Sequence, residues 1–223
     1  HEENHVSLTS SQTIRILAGH VLTVALPKLD YDEVFKLYQS IRETLYAERN
    51  IYYTASGRSG TAITIMAELL EPWWQDYVKT HGLLPPGKHH KKSIYREQAT
   101  QWTPQVMEGA VVMAASGSGE TSSVNEKLES CVDCGAEYMA ITATPGAAIW
   151  RKLKEHEKAL IVVPGRTKTS QAQTYKEKEQ QDRFKKAAPM GTSFELALGL
   201  LGMGLVEAMM HDGKALQSAT SHY

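Results

Sequence analysis

Two short segments concentrate glycines and hydroxyl side chains: Gly57-Arg58-Ser59-Gly60 and Ser116-Gly117-Ser118-Gly119-Glu120-Thr121. Glycine lets a backbone approach a ligand closely, and serine and threonine add hydroxyls beside the main-chain amides. Together with the guanidinium of Arg58, the two segments have the means to hold a small anion, and a single phosphate group is the expected guest. Nucleotides fit less well. The Walker pattern needs a lysine directly before its Ser or Thr, and the dinucleotide pattern needs G-x-G-x-x-G with an acidic residue about twenty positions on. Neither is satisfied. Alone, S-G-S-G-E-T could be an ordinary turn; after a buried strand and before a helix it reads as an anion site.

Other reactive residues have blander readings. Cys131 and Cys134 form a C-x-x-C near the end of an expected helix that stops at Gly135, whereas redox motifs open a helix and a structural zinc site wants four ligands. His1-Glu2-Glu3-Asn4-His5 matches H-E-x-x-H, but chain ends are usually frayed and no third ligand is evident. Lys88-His89-His90-Lys91-Lys92, after Pro85-Pro86-Gly87, reads as part of a solvated loop over residues 80–98 rather than a metal site. No metal is expected.

The surrounding pattern supplies the elements that would position the two glycine–hydroxyl segments. Residues 51–55 are β-prone and precede Gly57-Arg58-Ser59-Gly60, read as a tight turn, and a helix from Thr61 to Tyr77. The unit recurs as a strand over 110–115, the Ser116–Thr121 turn and a helix from Ser122 to Cys134. A third strand over 138–142 leads through Pro145-Gly146 to a helix ending near His156, and 159–163 makes a fourth. Alternating strands and helices specify a parallel sheet covered on both faces. Ahead of them, helical spacing over Ser11 to Leu26 and Tyr31 to Glu48 predicts a hairpin, a 1–49 arm on a 50–223 core within one domain. The chain from Gly165 to Lys186 is almost wholly polar, and the apolar stretch from Thr192 to Met210 predicts a buried last helix.

Composition narrows the classes. With a formal net charge of −1 and no apolar run long enough to span a bilayer, neither nucleic acid nor membrane is an expected partner. Two cysteines are too few for a disulfide framework and no secretory signal is evident, so a cytoplasmic location is expected.

Three motifs carry a family resemblance. Ser116-Gly117-Ser118-Gly119-Glu120-Thr121 resembles the phosphate loop of SIS (sugar isomerase) domains, and Gly57-Arg58-Ser59-Gly60 the first loop of the 6-phospho-3-hexuloisomerase branch. Pro189-Met190-Gly191-Thr192-Ser193-Phe194-Glu195 is similar to that branch's P-M-G-T-x-F-E motif, which opens the last helix. The resemblance implies an α/β fold with a five-stranded parallel sheet flanked by helices, no cofactor, no metal, and a homo-oligomer, expected to be a tetramer. It implies that Ser59, Ser116, Ser118 and Thr121 hold the phosphate of a phosphorylated sugar, with Gly57 and Arg58 in the binding segment, and that Glu195 is the catalytic carboxylate. It also gives His222 a catalytic part, although Ser221 replaces the arginine of the family's tail motif. Ala55 stands where a glycine is common, and the 80–98 segment is longer than the pattern suggests.

The implied reaction is interconversion of 3-hexulose 6-phosphate and fructose 6-phosphate through an enediol, with one carboxylate moving the proton. Two readings compete. Thr192-x-x-Glu195 is also a helix capping box, and a SIS domain can be a non-catalytic sugar-phosphate sensor or act on another sugar phosphate. A regulator acting through DNA is disfavoured, because the segment ahead of the first strand lacks a basic recognition helix.

Overall fold

The computed structural model describes residues 19, 21–80, 94–96, 103, 107–163 and 192–220, with side chains placed from 194 to 210 in the last helix. Five strands, β1 (Ile51–Ala55), β2 (Ile94–Arg96), β3 (Val111–Ser116), β4 (Glu137–Thr142) and β5 (Glu157–Val162), form one parallel sheet in the order β2-β1-β3-β4-β5. The helices are α1 (Tyr31–Tyr46), α2 (Gly57–Thr80), α3 (Ser122–Asp133), α4 (Ala148–Lys152) and α5 (Thr192–Thr220).

Alternation along the strands divides the core into two layers. Ile51, Met113, Ala115, Met139, Ile141 and Ile161 face one way, into a cluster shared with α1, α2 and α5. Tyr52, Val112, Ala114, Tyr138 and Ala140 face the other way, toward α3 and α4. All six residues of β3 are buried, as a central parallel strand covered on both faces requires.

The α1 helix begins where the sequence offers a cap: Asp30 accepts hydrogen bonds from the amides of Asp32 (3.0 Å) and Glu33 (3.3 Å). Of the expected first arm of the hairpin, the described residues contain a π turn, Val21–Ala25, running into a 3-10 turn, Leu26–Lys28, with Pro27 in its first positions. Residues 11–18, like the His1–His5 motif, lie outside the described residues. The α3 helix closes in a Schellman motif, with Ala136 N–H on the Cys131 carbonyl (3.1 Å), Gly135 N–H on that of Val132 (2.9 Å), and Gly135 at φ 93°. Cys131 and Cys134 therefore lie at the C-terminal end of the helix, and neither is in a disulfide.

The 80–98 segment corrects the reading as a solvated loop. Ile94–Arg96 is a sheet strand paired with β1, Ile51 opposite Ile94, and Ile94 is buried. It is held by a carboxylate: Ile94 N–H donates to Oε2 of buried Glu71 at 2.8 Å, and Gln75 Nε2 donates to Oε1 at 2.9 Å. A matching contact lies at the other edge, where Leu160 N–H on β5 donates to Oε2 of Glu33 at 3.2 Å. Residues 81–93, with His89 and His90, are outside the described residues. No helix among the described residues is long and apolar enough to cross a membrane.

Candidate functional site

The strand order places the site. From β1 the chain crosses to β2 on one side, then returns to β3 on the other, so β1 and β3 are neighbours whose connections diverge. Ligands of open parallel sheets bind at such a switch point, outside the carboxyl ends of the strands. Ala55 and Ala115 are register partners there, so both glycine–hydroxyl segments leave the sheet at the same edge.

The first segment is not a tight turn before a helix, as its glycines suggested, but the first turn of α2 itself. Gly57, at φ 57°, bends the chain out of β1, a conformation that costs a residue with a β-carbon. The helix then separates its side chains: Arg58 is exposed and Ser59 is buried. Gly60 sits over the end of the strand, where a β-carbon would be in ordinary contact with the Ala55 carbonyl oxygen at 3.5 Å.

The second segment folds into a knot of hydroxyls. Thr121 Oγ1 lies 3.2 Å from Ser116 Oγ and 3.5 Å from Ser118 Oγ. Ser116 Oγ accepts from Gly119 N–H and Ser118 Oγ from Glu120 N–H, both at 3.1 Å. Thr121 is the N-cap of α3, yet its side chain makes no capping bond to the helix. Its hydroxyl instead faces those of Ser116 and Ser118, beside the positive end of the α3 dipole.

Residues that the sequence reading missed hold this loop in place. Thr144 Oγ1 donates to the Gly117 carbonyl at 3.1 Å, and Ala143 N–H reaches the same oxygen at 3.3 Å. Asn125 Nδ2 donates to the Gly119 carbonyl at 3.2 Å. Buried Trp150 and Ala147 pack against Gly119. Asn125, four residues beyond Thr121 on α3, was the one recoverable from spacing alone.

The third segment closes the group. Phe194, buried in the first turn of α5, lies against Gly117, where a β-carbon would come to 3.3 Å of Cδ1. Next to it, Glu195 Oε1 accepts from Ser59 Oγ at 3.5 Å, across 136 residues of chain. Its Oε2 is buried and has no hydrogen-bond partner among the described residues. The structure thus brings Ser59, Ser116, Ser118, Thr121 and Glu195 to one edge of the sheet, where α2, α3 and α5 all begin. The Thr192 side chain of the capping-box reading, Pro189 to Gly191, and His222 lie outside what is described. No group of three or more His, Cys, Asp or Glu suited to a metal occurs among the described residues.

The chemistry of the arrangement is that of an anion cradle with a carboxylate beside it. Three hydroxyls and the start of α3 can donate to phosphate oxygens, and Glu195 can accept a proton through Oε2. No protein-family model matches the chain. A relative of uncharacterised function from Aeropyrum pernix is 25% identical over 187 residues, covering 83% of this chain and 77% of its own. The NanR protein of Vibrio vulnificus, solved in complex with ManNAc-6P, superposes with a TM-score of 0.56 at 12% identity, covering 95% of this chain and 67% of its own. Phosphoheptose isomerase GmhA from Neisseria gonorrhoeae gives 0.54 at 13% identity, covering 90% of this chain and 94% of its own. The chain therefore shares its fold, a five-stranded parallel sheet flanked by helices, with a phosphosugar isomerase and with a protein that binds a sugar phosphate.

Proposed function

We propose that this protein is a sugar-phosphate isomerase of the SIS type, interconverting 3-hexulose 6-phosphate and fructose 6-phosphate. The observation that carries the reading is the meeting of Glu195 with Ser59 next to the Ser116–Thr121 hydroxyl knot, which sets a carboxylate beside an anion cradle. The fold shared with phosphoheptose isomerase supports it.

In this reading the hydroxyls of Ser116, Ser118 and Thr121 and the start of α3 bind the phosphate and so fix the far end of the sugar. Glu195 takes the C2 proton of the 3-ketose, electrons move toward the C3 carbonyl, and an enediol forms across C2 and C3. Glu195 returns the proton to C3, while the hydroxyl proton leaves O2 and one is gained at O3. His222 is the group assigned to that oxygen-to-oxygen transfer, for which an imidazole titrating near neutrality is suited. Arg58, exposed at the start of α2, is assigned to the outer part of the substrate. The protein works as a homo-oligomer, with a tetramer as the proposed state.

The likeness to NanR in complex with ManNAc-6P favours a second reading, a binding module without turnover. The two separate in one experiment: incubation with a panel of ketose and aldose 6-phosphates in deuterated water. An isomerase converts one of them and introduces deuterium at the carbon that receives the proton. A protein that is stabilised by a phosphosugar but neither converts it nor exchanges its hydrogen is a binding module.

A further inference from the structure

We propose that Ser59 is a positioning residue for Glu195, holding one carboxylate oxygen so that the other is left for the substrate. This rests on the reading of Glu195 as the proton-transfer base. The resemblance grouped Ser59 with Ser116, Ser118 and Thr121, but the hydrogen bonds divide the four. Ser116, Ser118 and Thr121 bond to one another around one loop, whereas Ser59 is paired with Glu195.

The chemistry of the pair follows from what each group can do. A serine hydroxyl has one proton to give, and Ser59 is placed to give it to Oε1. Ser59 is only 8% exposed, so its end of the contact is buried, while Glu195 is half-buried. Oε2, buried and without a partner among the described residues, is the costly half of the carboxylate. The two oxygens are therefore unequal: Oε1 is anchored, and Oε2 keeps its lone pairs for a carbon-bound proton. Ser59 lies in the first turn of α2 and Glu195 in that of α5, so both ends of the bond are fixed to packed helices. Catalytic hydrogen bonds as long as 3.5 Å tighten in the transition-state complex, where the carboxylate must hold its aim.

The test reads the carboxylate and the phosphate separately. Glutamate is labelled with carbon-13 at the side-chain carboxyl, and the Glu195 resonance is identified by its loss in Glu195→Gln. Ser59→Ala should move that resonance and lower kcat by ~10-fold or more, with KM and affinity for inorganic phosphate within about twofold of wild type. Ser59→Thr keeps the hydroxyl and should restore both the resonance and kcat. A tenfold loss of phosphate affinity with the Glu195 resonance unmoved would overturn the proposal and make Ser59 a phosphate ligand. Circular dichroism checks the fold; if Ser59→Ala does not fold, Ser59→Cys, which keeps the size and weakens the donor, is read the same way. If wild-type protein converts no phosphosugar, the base reading of Glu195 fails by itself, and the carboxyl and phosphate measurements still decide which group Ser59 serves.

Discussion

The indole nitrogen of Trp150 lies so close to Gly119 that a β-carbon on residue 119 would stand 2.8 Å from Nε1, and 2.5 Å from the β-carbon of Ala147. Gly119 also has φ 65°, which side chains with a β-carbon adopt at a cost of about 1–2 kcal/mol. Overpacking of a closed site adds about 1–3 kcal/mol. Gly119→Ala is therefore expected to lower stability by roughly 2–5 kcal/mol in urea denaturation. Adding Ala147→Gly should recover only part of the loss, because the indole remains.

Glu195 separates catalysis from capping. Glutamine preserves the size of the side chain and can still accept a hydrogen bond from Ser59, so Glu195→Gln should fold and bind phosphosugar as wild type does. Turnover should fall by ~10²–10⁴-fold with little change in melting temperature. A purely capping Glu195 would show full activity as glutamine and lose up to about 1 kcal/mol of stability as alanine.

Phosphate should protect the fold against heat, and an unphosphorylated sugar should not. A ligand that binds only the native state stabilises it by about 2.7 kcal/mol at a hundredfold excess over Kd. Ser118→Ala and Thr121→Ala should each reduce this protection while leaving the protein folded, as calorimetry with and without phosphate would show. Equal protection by the free sugar would remove the anion cradle from the site.

Two tyrosines give the stability an alkaline limit. Tyr138 is buried and donates to Glu157 Oε2 at 3.1 Å; burial, then the carboxylate's charge and hydrogen bond, raise its pKa above the ordinary 10.0. Tyr46 is pushed up to about 12, chiefly by burial and then by its hydrogen bond with Tyr77, against the opposing effect of Arg42. In both cases the unfolded phenol ionises first. The stabilisation is complete below about pH 10, and is lost as pH rises through the folded-state values. Denaturation midpoints should fall from pH 9.5 upward (~9.5–11.5), and Tyr138→Phe should make that fall less steep.

Glu71 is expected to hold β2 on the sheet. Glu71→Ala leaves the Ile94 amide without its acceptor and should cost about 1–3 kcal/mol, whereas Glu71→Gln retains an oxygen in place and should cost less. Amide hydrogen exchange at Ile94 should quicken in the alanine variant. Unchanged exchange there would mean that pairing with β1 suffices.

What could be read in the sequence was what local pattern encodes. β1, β3, β4 and β5 announce themselves as apolar runs next to glycine or proline breaks, and each lies within about two residues of its expected place. β2 did not, because a three-residue strand shows no periodicity and its acceptor lies 23 residues earlier in the chain, on α2. The Gly57-Arg58-Ser59-Gly60 segment looked like a turn because glycine ordinarily breaks helices, yet the helix starts there. The last helix was expected to end with its apolar pattern at Met210, and it continues to Thr220. That Ser59, Ser116, Ser118, Thr121 and Glu195 come to one edge of the sheet followed from the motifs; how they pair did not. Nothing local in the sequence distinguishes Ser59, turned to a glutamate 136 positions away, from the serines of the Ser116–Thr121 loop.

The carboxylates of Glu71 and Glu33 have a bearing on crowded solutions. A sheet with open margins can recruit a foreign strand, whose carbonyls dock on the unused amides. Here the amides of Ile94 and Leu160, on the two outermost strands, already hold side-chain oxygens. An incoming backbone would have to evict a negatively charged group with its own lone pairs, and at Glu33 part a contact with Lys36 as well. Each margin thus has one amide that a foreign strand cannot take without displacing a carboxylate, supplied by two residues that take no part in the proposed chemistry.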